Sequence, residues 1–234
     1  RRLRVALFST GDELVMPGDP LPPGAIYNSN RYVLRGLLEA LGCEVSDLGI
    51  VPDDLEATRA ALRGAAAGND LIVTSGGVSV GEEDHVKPAV QAEGRLDLWL
   101  VAMKPGKPVA FGHVNDPADG AGAAFIGLPG NPVSSFVTFI MLVRPFVLRA
   151  MGVADCLPRE IPLTAGFDWP RPDRRREFLR ARIGADGRVA LFPNQGPGVL
   201  TSTVWADGLV STPPGTSLAA GEQVQFIPYS ELLS

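Results

Sequence analysis

Short apolar runs alternate with segments of helical periodicity over the first part of the chain, and few folds accept that order. The run LRVALF, residues 3–8, has the length and continuity of a buried strand. A loop rich in Gly and Pro follows it. NSNRYVLRGLLEALG then starts on Asn and Ser suited to capping, carries Val33, Leu34, Leu37, Leu38 and Leu41 at helical spacing, and stops at Gly42. CEVSDLGIV reads as a second strand. DDLEATRAALRGAAAG reads as a second helix, opened by acids and closed by Gly68. DLIVTS, residues 70–75, is apolar through its middle, as a central parallel strand should be. Lys87 precedes a proline, which disfavours the α region there, so the next helix is predicted to begin at Pro88. RLDLWLVAM, PVAFGHV and AAFIGLP read as further strands. NPVSSFVTFIMLVRPFVLRAMG reads as a long helix with Pro132 at its start and Gly152 past its end. This alternation predicts an α/β fold, a parallel or mixed sheet sandwiched by helices.

After Gly152 the texture changes. VADCLPRE reads as a linker, and from residue 161 the runs are short, lack helical spacing and are separated by ADG and PPG turns. That pattern predicts a small all-β domain. The expected organisation is residues 1–152 as the α/β unit and residues 158–234 as the β unit. The chain opens on Arg1 and not on Met, which predicts the edge of a fragment.

Composition narrows the classes. No uninterrupted apolar run reaches the ~18–20 residues of a membrane span, since Thr138 and Arg144 break the longest. A net charge of −5 argues against sequence-independent nucleic-acid binding. Two cysteines make no disulfide framework and fit a reducing cytoplasm, and with two histidines they cannot build a Cys/His metal cluster.

In an open parallel sheet ligands bind beyond the carboxyl ends of the strands. Those ends carry STGDE (Ser9, Thr10, Gly11, Asp12, Glu13), then PDD with Asp53, then SGGVSVGEED from Ser75 to Asp84, then LPGNPVSS. Gly76, Gly77 and Gly81 let backbone N–H groups approach an anion, and Ser75 and Ser79 add hydroxyls. Pattern alone leaves this stretch open between a phosphate cradle and a plain Gly-rich turn. Glu13, Asp53 and Asp84 lie at three neighbouring strand ends, as carboxylates around Mg²⁺ do, whereas Asp54 reads as a helix N-terminal acid and Glu82 and Glu83 as solvated. MKPGKP holds Lys104 and Lys107 on a stiff turn around Gly106, suited to an oxyanion. In GLPGNPVSS, Pro129 and Pro132 stiffen the turn, Gly130 permits close approach and Asn131 can cap the helix. Ser134 and Ser135 fall in its first turn, where N–H groups are expected free.

STGDEL, YNSNRY, VPDD, TSGGVSVGEEDHVK, MKPGKP and GLPGNPVS, in this order, resemble the MoeA family of molybdopterin molybdenumtransferases, to which the gephyrin E domain is related. The resemblance implies a molybdopterin-binding fold. It implies an enzyme that inserts molybdate into adenylylated molybdopterin with Mg²⁺-dependent release of AMP. Glu13, Asp53 and Asp84 would be its active-site acids, with Asp53 and Asp84 the Mg²⁺ pair. Ser75 to Gly81 would hold the pterin phosphate or nucleotide, Lys104 and Lys107 the phosphate or molybdate, and Pro129 to Ser134 another wall. Among the β-domain arginines, Arg176, Arg180 and Arg182 are candidates to face the cleft. The resemblance also implies small-molecule substrates, a homodimer in the full-length protein, transient contact with other molybdenum-cofactor enzymes, and two further domains ahead of this chain. Turnover by the fragment alone is therefore in question. The alternatives are a MogA/MoaB-like molybdopterin adenylyltransferase, which the β tail and the PGNP turn oppose, and a non-catalytic pterin-binding or scaffold module.

Overall fold

The structure is a computed structural model that describes residues 1–78, 85–118 and 120–232. In chain order it contains β1 (Arg4–Thr10), β2 (Leu14–Val15), β3 (Ile26–Tyr27), α1 (Ser29–Ala40), β4 (Glu44–Val51), α2 (Leu55–Ala66) and β5 (Leu71–Ser75). Next come α3 (Val86–Glu93), β6 (Gly94–Leu100), β7 (Met103–Lys104), β8 (Pro108–Val114), β9 (Ala123–Leu128) and α4 (Pro132–Thr138). A π-helical turn, Phe139–Val143, carries α4 into α5 (Arg144–Ala150). The remainder is β10 (Ile161–Thr164), β11 (Arg176–Ile183), β12 (Val189–Leu191), α6 (Thr201–Trp205), β13 (Gly208–Thr212) and β14 (Gln223–Pro228).

The first sheet has the order β4-β1-β5-β9-β8-β6. Its first four strands are parallel, and β8 and β6 run antiparallel to their neighbours. The strands are apolar on both faces because each face is covered. Val5 and Leu7 of β1, Leu71 and Val73 of β5, and Ile126 and Leu128 of β9 pack under α1 and the α4–α5 helix. Ala6, Phe8, Ile72 and Phe125, one residue out of step, pack under α2 and α3. This is the period of a strand written in burial. Asn28 Oδ1 accepts from Arg31 N–H to cap α1, and Asp54 Oδ1 accepts from Ala57 N–H to cap α2. The α/β sandwich followed by a β unit agrees with the sequence reading.

Four details differ. Helix α3 begins at Val86, two residues before Pro88. Pro88 is tolerated because N–H groups of a first helical turn have no intrahelical acceptor to lose. RLDLWLVAM does not form one strand: β6 stays in the first sheet, while Met103–Lys104 pairs in parallel with Arg176–Glu177 of the second. The loop after β1 contains a small parallel pair, β2 with β3. Pro132–Ala150, despite Thr138 and Arg144, is long and apolar enough to cross a membrane by length and composition. However, 61% of its window is buried within the protein, as in a core helix.

The second sheet runs β10-β14-β13-β11-β12, with β7 added to β11. Its antiparallel strands enclose Leu179, Ala181, Val210, Val224 and Phe226. It shares the first sheet's core as well: Phe178, Leu209, Ile227 and Tyr229 pack with Val133, Phe136 and Val137 of α4. The Phe136 and Tyr229 rings meet edge to face at 5.5 Å between centroids. Phe136→Ala is therefore expected to cost about 3–5 kcal/mol by leaving a cavity between the two sheets, measured by chemical denaturation.

Candidate functional site

β1 is flanked by β4 on one side and β5 on the other, so the chain reverses its direction of winding there, and a crevice opens beyond the strand ends. A cavity of about 510 Å³ occupies that crevice. Thr10, Gly11 and Glu13 line it from the end of β1, Asp53 from the end of β4, and Ser75, Gly76 and Gly77 from the end of β5. The turn from β9 to α4 supplies Pro129, Gly130, Asn131, Pro132 and Ser134. Leu14 and Ile26, from the small pair β2–β3, add an apolar wall.

The Gly76–Gly77 backbone has φ of +92° and +64°, which side chains other than glycine rarely adopt. A Cβ at Gly76 would strike the Thr10 carbonyl oxygen, and one at Gly77 the Val86 side chain and the Thr10 hydroxyl. Thr10 is 3% exposed, and its Oγ1 has no hydrogen-bond partner among the described residues. A desolvated hydroxyl without a partner is costly, and a donor or acceptor arriving in the cavity would relieve it.

One wall residue was not singled out from sequence. Asn30 sits in the first turn of α1, buried, and its Nδ2 donates to Ser75 Oγ at 2.8 Å and to the Gly130 carbonyl at 2.7 Å. It ties the glycine turn after β5 to the proline turn after β9. The α4 start also departs from expectation. Asn131 makes no side-chain cap. Val133 N–H donates to the Pro197 carbonyl of the second sheet's loop, and Ser135 N–H to the Asn131 carbonyl. Two N–H groups at the helix start are thus engaged, one by a distant loop and one by the helix's own first hydrogen bond.

Other expected residues lie apart from this cavity. Ser9 is buried, with its hydroxyl donating to Asn28 Oδ1 at 3.5 Å. Asp12 Oδ1 accepts from Asp53 N–H at 3.1 Å. Gly106 packs on α4, where a Cβ would strike the Thr138 methyl group. Ser79, Gly81 and Asp84, with Glu82 and Glu83, lie outside the described residues. Among the described residues no three His, Cys, Asp or Glu side chains group as a metal site.

A second cavity, about 840 Å³, opens on the seam between the sheets, lined by Lys107, Asp173, Arg174 and Arg175 with Leu100 to Ala102. Lys107 faces this cavity and Pro108 the first, so one peptide bond separates them. Lys107 and Arg174 form no ion pair among the described residues. Lys104 is engaged instead: its Nζ lies 3.2 Å from Asp173 Oδ2 and 3.1 Å from Glu177 Oε1. Burial alone would lower its pKa, and the hydrogen bonds to Glu177 and Asp173 overcome this and raise it. Hydrogen bonds from Arg175, with Lys104 adding to them, hold Asp173 well below the usual carboxylate range.

Of the three β-domain arginines expected near the cleft, none lines either cavity. Arg176 bonds Ser211 Oγ, Arg182 lies over the Trp205 ring at 4.6 Å, and Arg180 is buried at 1% exposure. Arg180 donates to Ser202 Oγ and to the Phe178 and Gly196 carbonyls, and burial pushes its pKa down to about 10. Arg174 and Arg175, in the loop just before β11, occupy the place expected of them.

Two tests follow from this geometry. Asn30→Ala strands the Ser75 hydroxyl and the Gly130 carbonyl and is expected to cost about 1–3 kcal/mol in chemical denaturation. For pH, the Asp173 carboxyl has a lower pKa folded than its unfolded value near 4. Its contribution is complete above about pH 5 and is lost as pH falls through that value towards the folded one. Thermal denaturation from pH 6 to pH 3 should show a shallower loss of Tm for Asp173→Asn than for the wild type.

Residues 6–149 match the family described as "Probable molybdopterin binding domain", and residues 162–229 match the MoeA C-terminal region, domain IV. A molybdopterin molybdenumtransferase of Haemophilus influenzae is 38% identical over 100% of this chain and 58% of its own length. A molybdopterin molybdenumtransferase 2 of Mycobacterium tuberculosis is 38% identical over 96% of this chain and 56% of its own length. The crystal structure of the molybdopterin biosynthesis MoeA protein from Pyrococcus horikosii superposes with a TM-score of 0.82 at 31% identity. That match covers 98% of this chain and 55% of the other. The chain spans little more than half the length of these relatives. With the family matched over most of its length, the chain belongs to the molybdopterin-binding family, carried here together with the C-terminal region of MoeA.

Proposed function

We propose that the chain forms the substrate-binding part of a molybdopterin molybdenumtransferase, which inserts molybdate into adenylylated molybdopterin and releases AMP. The observation that carries this reading is the pair of cavities on either side of the Lys107–Pro108 peptide: one with glycines, acids and an unpartnered hydroxyl, the other lined by cations. The names of the relatives point the same way. Residues 1–152 and 158–234 are taken as its two units.

In this reading the first cavity takes the adenylylated pterin. The Gly76–Gly77 turn, whose lack of side chains lets a phosphate approach closely, and the hydroxyls of Thr10 and Ser134 orient the phosphates, and Leu14 and Ile26 form the apolar wall. Glu13 and Asp53 share that cavity, and one or two carboxylates with phosphate oxygens suffice for Mg²⁺. Asp53 and Asp84 are the residues assigned to hold it. Bound there, the ion would neutralise charge on the phosphoanhydride as AMP leaves. In the second cavity Lys107, with Arg174 and Arg175, holds the molybdate oxyanion beside the pterin site. The complete protein is read as a homodimer of the cytoplasm, and the unpaired Cys43 and Cys156 support that compartment.

The test uses the full-length protein, because this chain is a little over half the length of its relatives. AMP release from adenylylated molybdopterin is followed chromatographically in the presence of molybdate and Mg²⁺. Asp53→Asn and Asp84→Asn are each expected to lower it at least ~100-fold with the fold intact. Wild-type release by either folded variant would overturn its assigned role. Formation of adenylylated pterin from ATP and molybdopterin would instead identify an adenylyltransferase.

A further inference from the structure

We propose that Glu177 is a positioning residue of the second cavity: it holds Lys104 and the Asp173 loop so that Lys107, Arg174 and Arg175 converge there. The inference rests on the oxyanion reading of that cavity. Glu177 lies on β11 with 1% of its side chain exposed. A carboxylate so buried has to be matched by donors, because a lone buried charge costs several kcal/mol and protonates instead. Oε2 is satisfied by hydrogen bonds, whereas Oε1 has no aligned hydrogen bond among the described residues and relies on the Lys104 charge alone. Oε1 faces Lys104 Nζ at 3.1 Å, while Oε2 accepts the Trp169 indole N–H at 3.0 Å and the Asp173 main-chain N–H at 3.3 Å.

These partners reach the cavity wall by two routes. Through Asp173 N–H, Glu177 fixes the start of the loop that bears Arg174 and Arg175. Asp173 in turn accepts from Arg175 Nε at 2.9 Å and Nη2 at 3.0 Å, which sets the direction of that guanidinium. Through Lys104, Glu177 fixes the turn that ends in Lys107, since Lys104 also stands opposite Glu177, and Met103 opposite Arg176, along the β7–β11 ladder. The charges suit the role. Lys104, Lys107, Arg174 and Arg175 face two carboxylates, Asp173 and Glu177, which leaves an excess of two positive charges. The carboxylates occupy Lys104 and Arg175, and the cations without ion pairs among the described residues are Lys107 and Arg174. An acid placed behind an anion site weakens its field, so its value lies in holding the cations that surround the ligand. A purely structural ion pair would change stability and leave anion affinity alone.

Calorimetric titration with molybdate, on the wild type and on Glu177→Gln, tests this. The expected result is at least a tenfold loss of affinity in Glu177→Gln, with partial recovery in Glu177→Asp. Loss of the acid also disturbs the Trp169 indole and Asp173 main-chain N–H groups that it accepts from and can impair folding, so a paired variant, Lys104→Met with Glu177→Leu, removes both charges together and keeps the seam apolar. It is expected to show the same loss. Wild-type affinity in either folded variant overturns the proposal. The seam is read separately from the ¹⁵N–¹H resonance of the Trp169 indole, one of three tryptophans in the chain. That resonance should move in Glu177→Gln, and an unmoved resonance would remove Glu177 from the place assigned to it. Absence of molybdate binding by the wild type, with a displaced Trp169 resonance, would instead condemn the oxyanion reading of the cavity.

Discussion

The turn at residues 103–108 belongs to two sheets at once, and both cavities depend on it. It enters from β6 of the first sheet, pairs with β11 of the second, and returns to the first as β8. Arg176 N–H donates to the Ala102 carbonyl at 3.0 Å, and Val101 N–H to the Lys107 carbonyl at 3.1 Å, so its backbone is held from both ends. Gly106 then lies against Thr138 of α4, with no room for a side chain. A segment fixed by backbone pairing, by helix contact and by the Lys104 ion pairs cannot shift without disturbing all three. Lys107 and Pro108 inherit that rigidity, and ordering them again on ligand binding costs little.

The seam also explains why the second sheet is more than an appendage. Its loop at Pro197 accepts from the first N–H of α4, and its Phe178 and Tyr229 enter the core beneath that helix. Arg180 anchors this arrangement from inside, donating to the Gly196 carbonyl while its own N–H donates to Gln195 Oε1. A buried guanidinium satisfied only by neutral acceptors is tolerable because each acceptor is preplaced by the surrounding loop. The proline turn that walls the first cavity is therefore braced from the β side as well as by Asn30.

Much of the fold was legible because its determinants are local. Continuous apolar runs mark strands covered on both faces, and alternate residues such as Leu7 and Phe8 do divide between two cores. Caps at Asn28 and Asp54 are readable because the bonds they make span three residues. The clustering of Thr10, Glu13, Asp53, Ser75 and Gly130 followed from a topological rule, that ligand crevices lie beyond parallel strand ends where the winding reverses. The split of RLDLWLVAM between two sheets was not legible. A strand's apolar pattern states that it will be paired and is silent about which of two sheets supplies the partner.

The same limit governed the arginines. Strand period places Arg176, Arg180 and Arg182 on one face of β11, and that much is readable from spacing. Which face meets the cleft depends on the pairing of Glu177 with Lys104 from a distant turn. Once that pair forms, the strand is oriented with Arg180 inward against Ser202 and Arg176 towards Ser211. The cations that reach the cavity are then those of the preceding loop, where no period applies. Asn30 escaped notice for a related reason. An Asn in a first helical turn is ordinarily a local capping residue, and only the arrival of Ser75 and Gly130 from two other strand ends turns its amide into a brace. What the sequence withholds in both cases is the identity of the non-local partner, and the site's basic side is built almost wholly from such pairs.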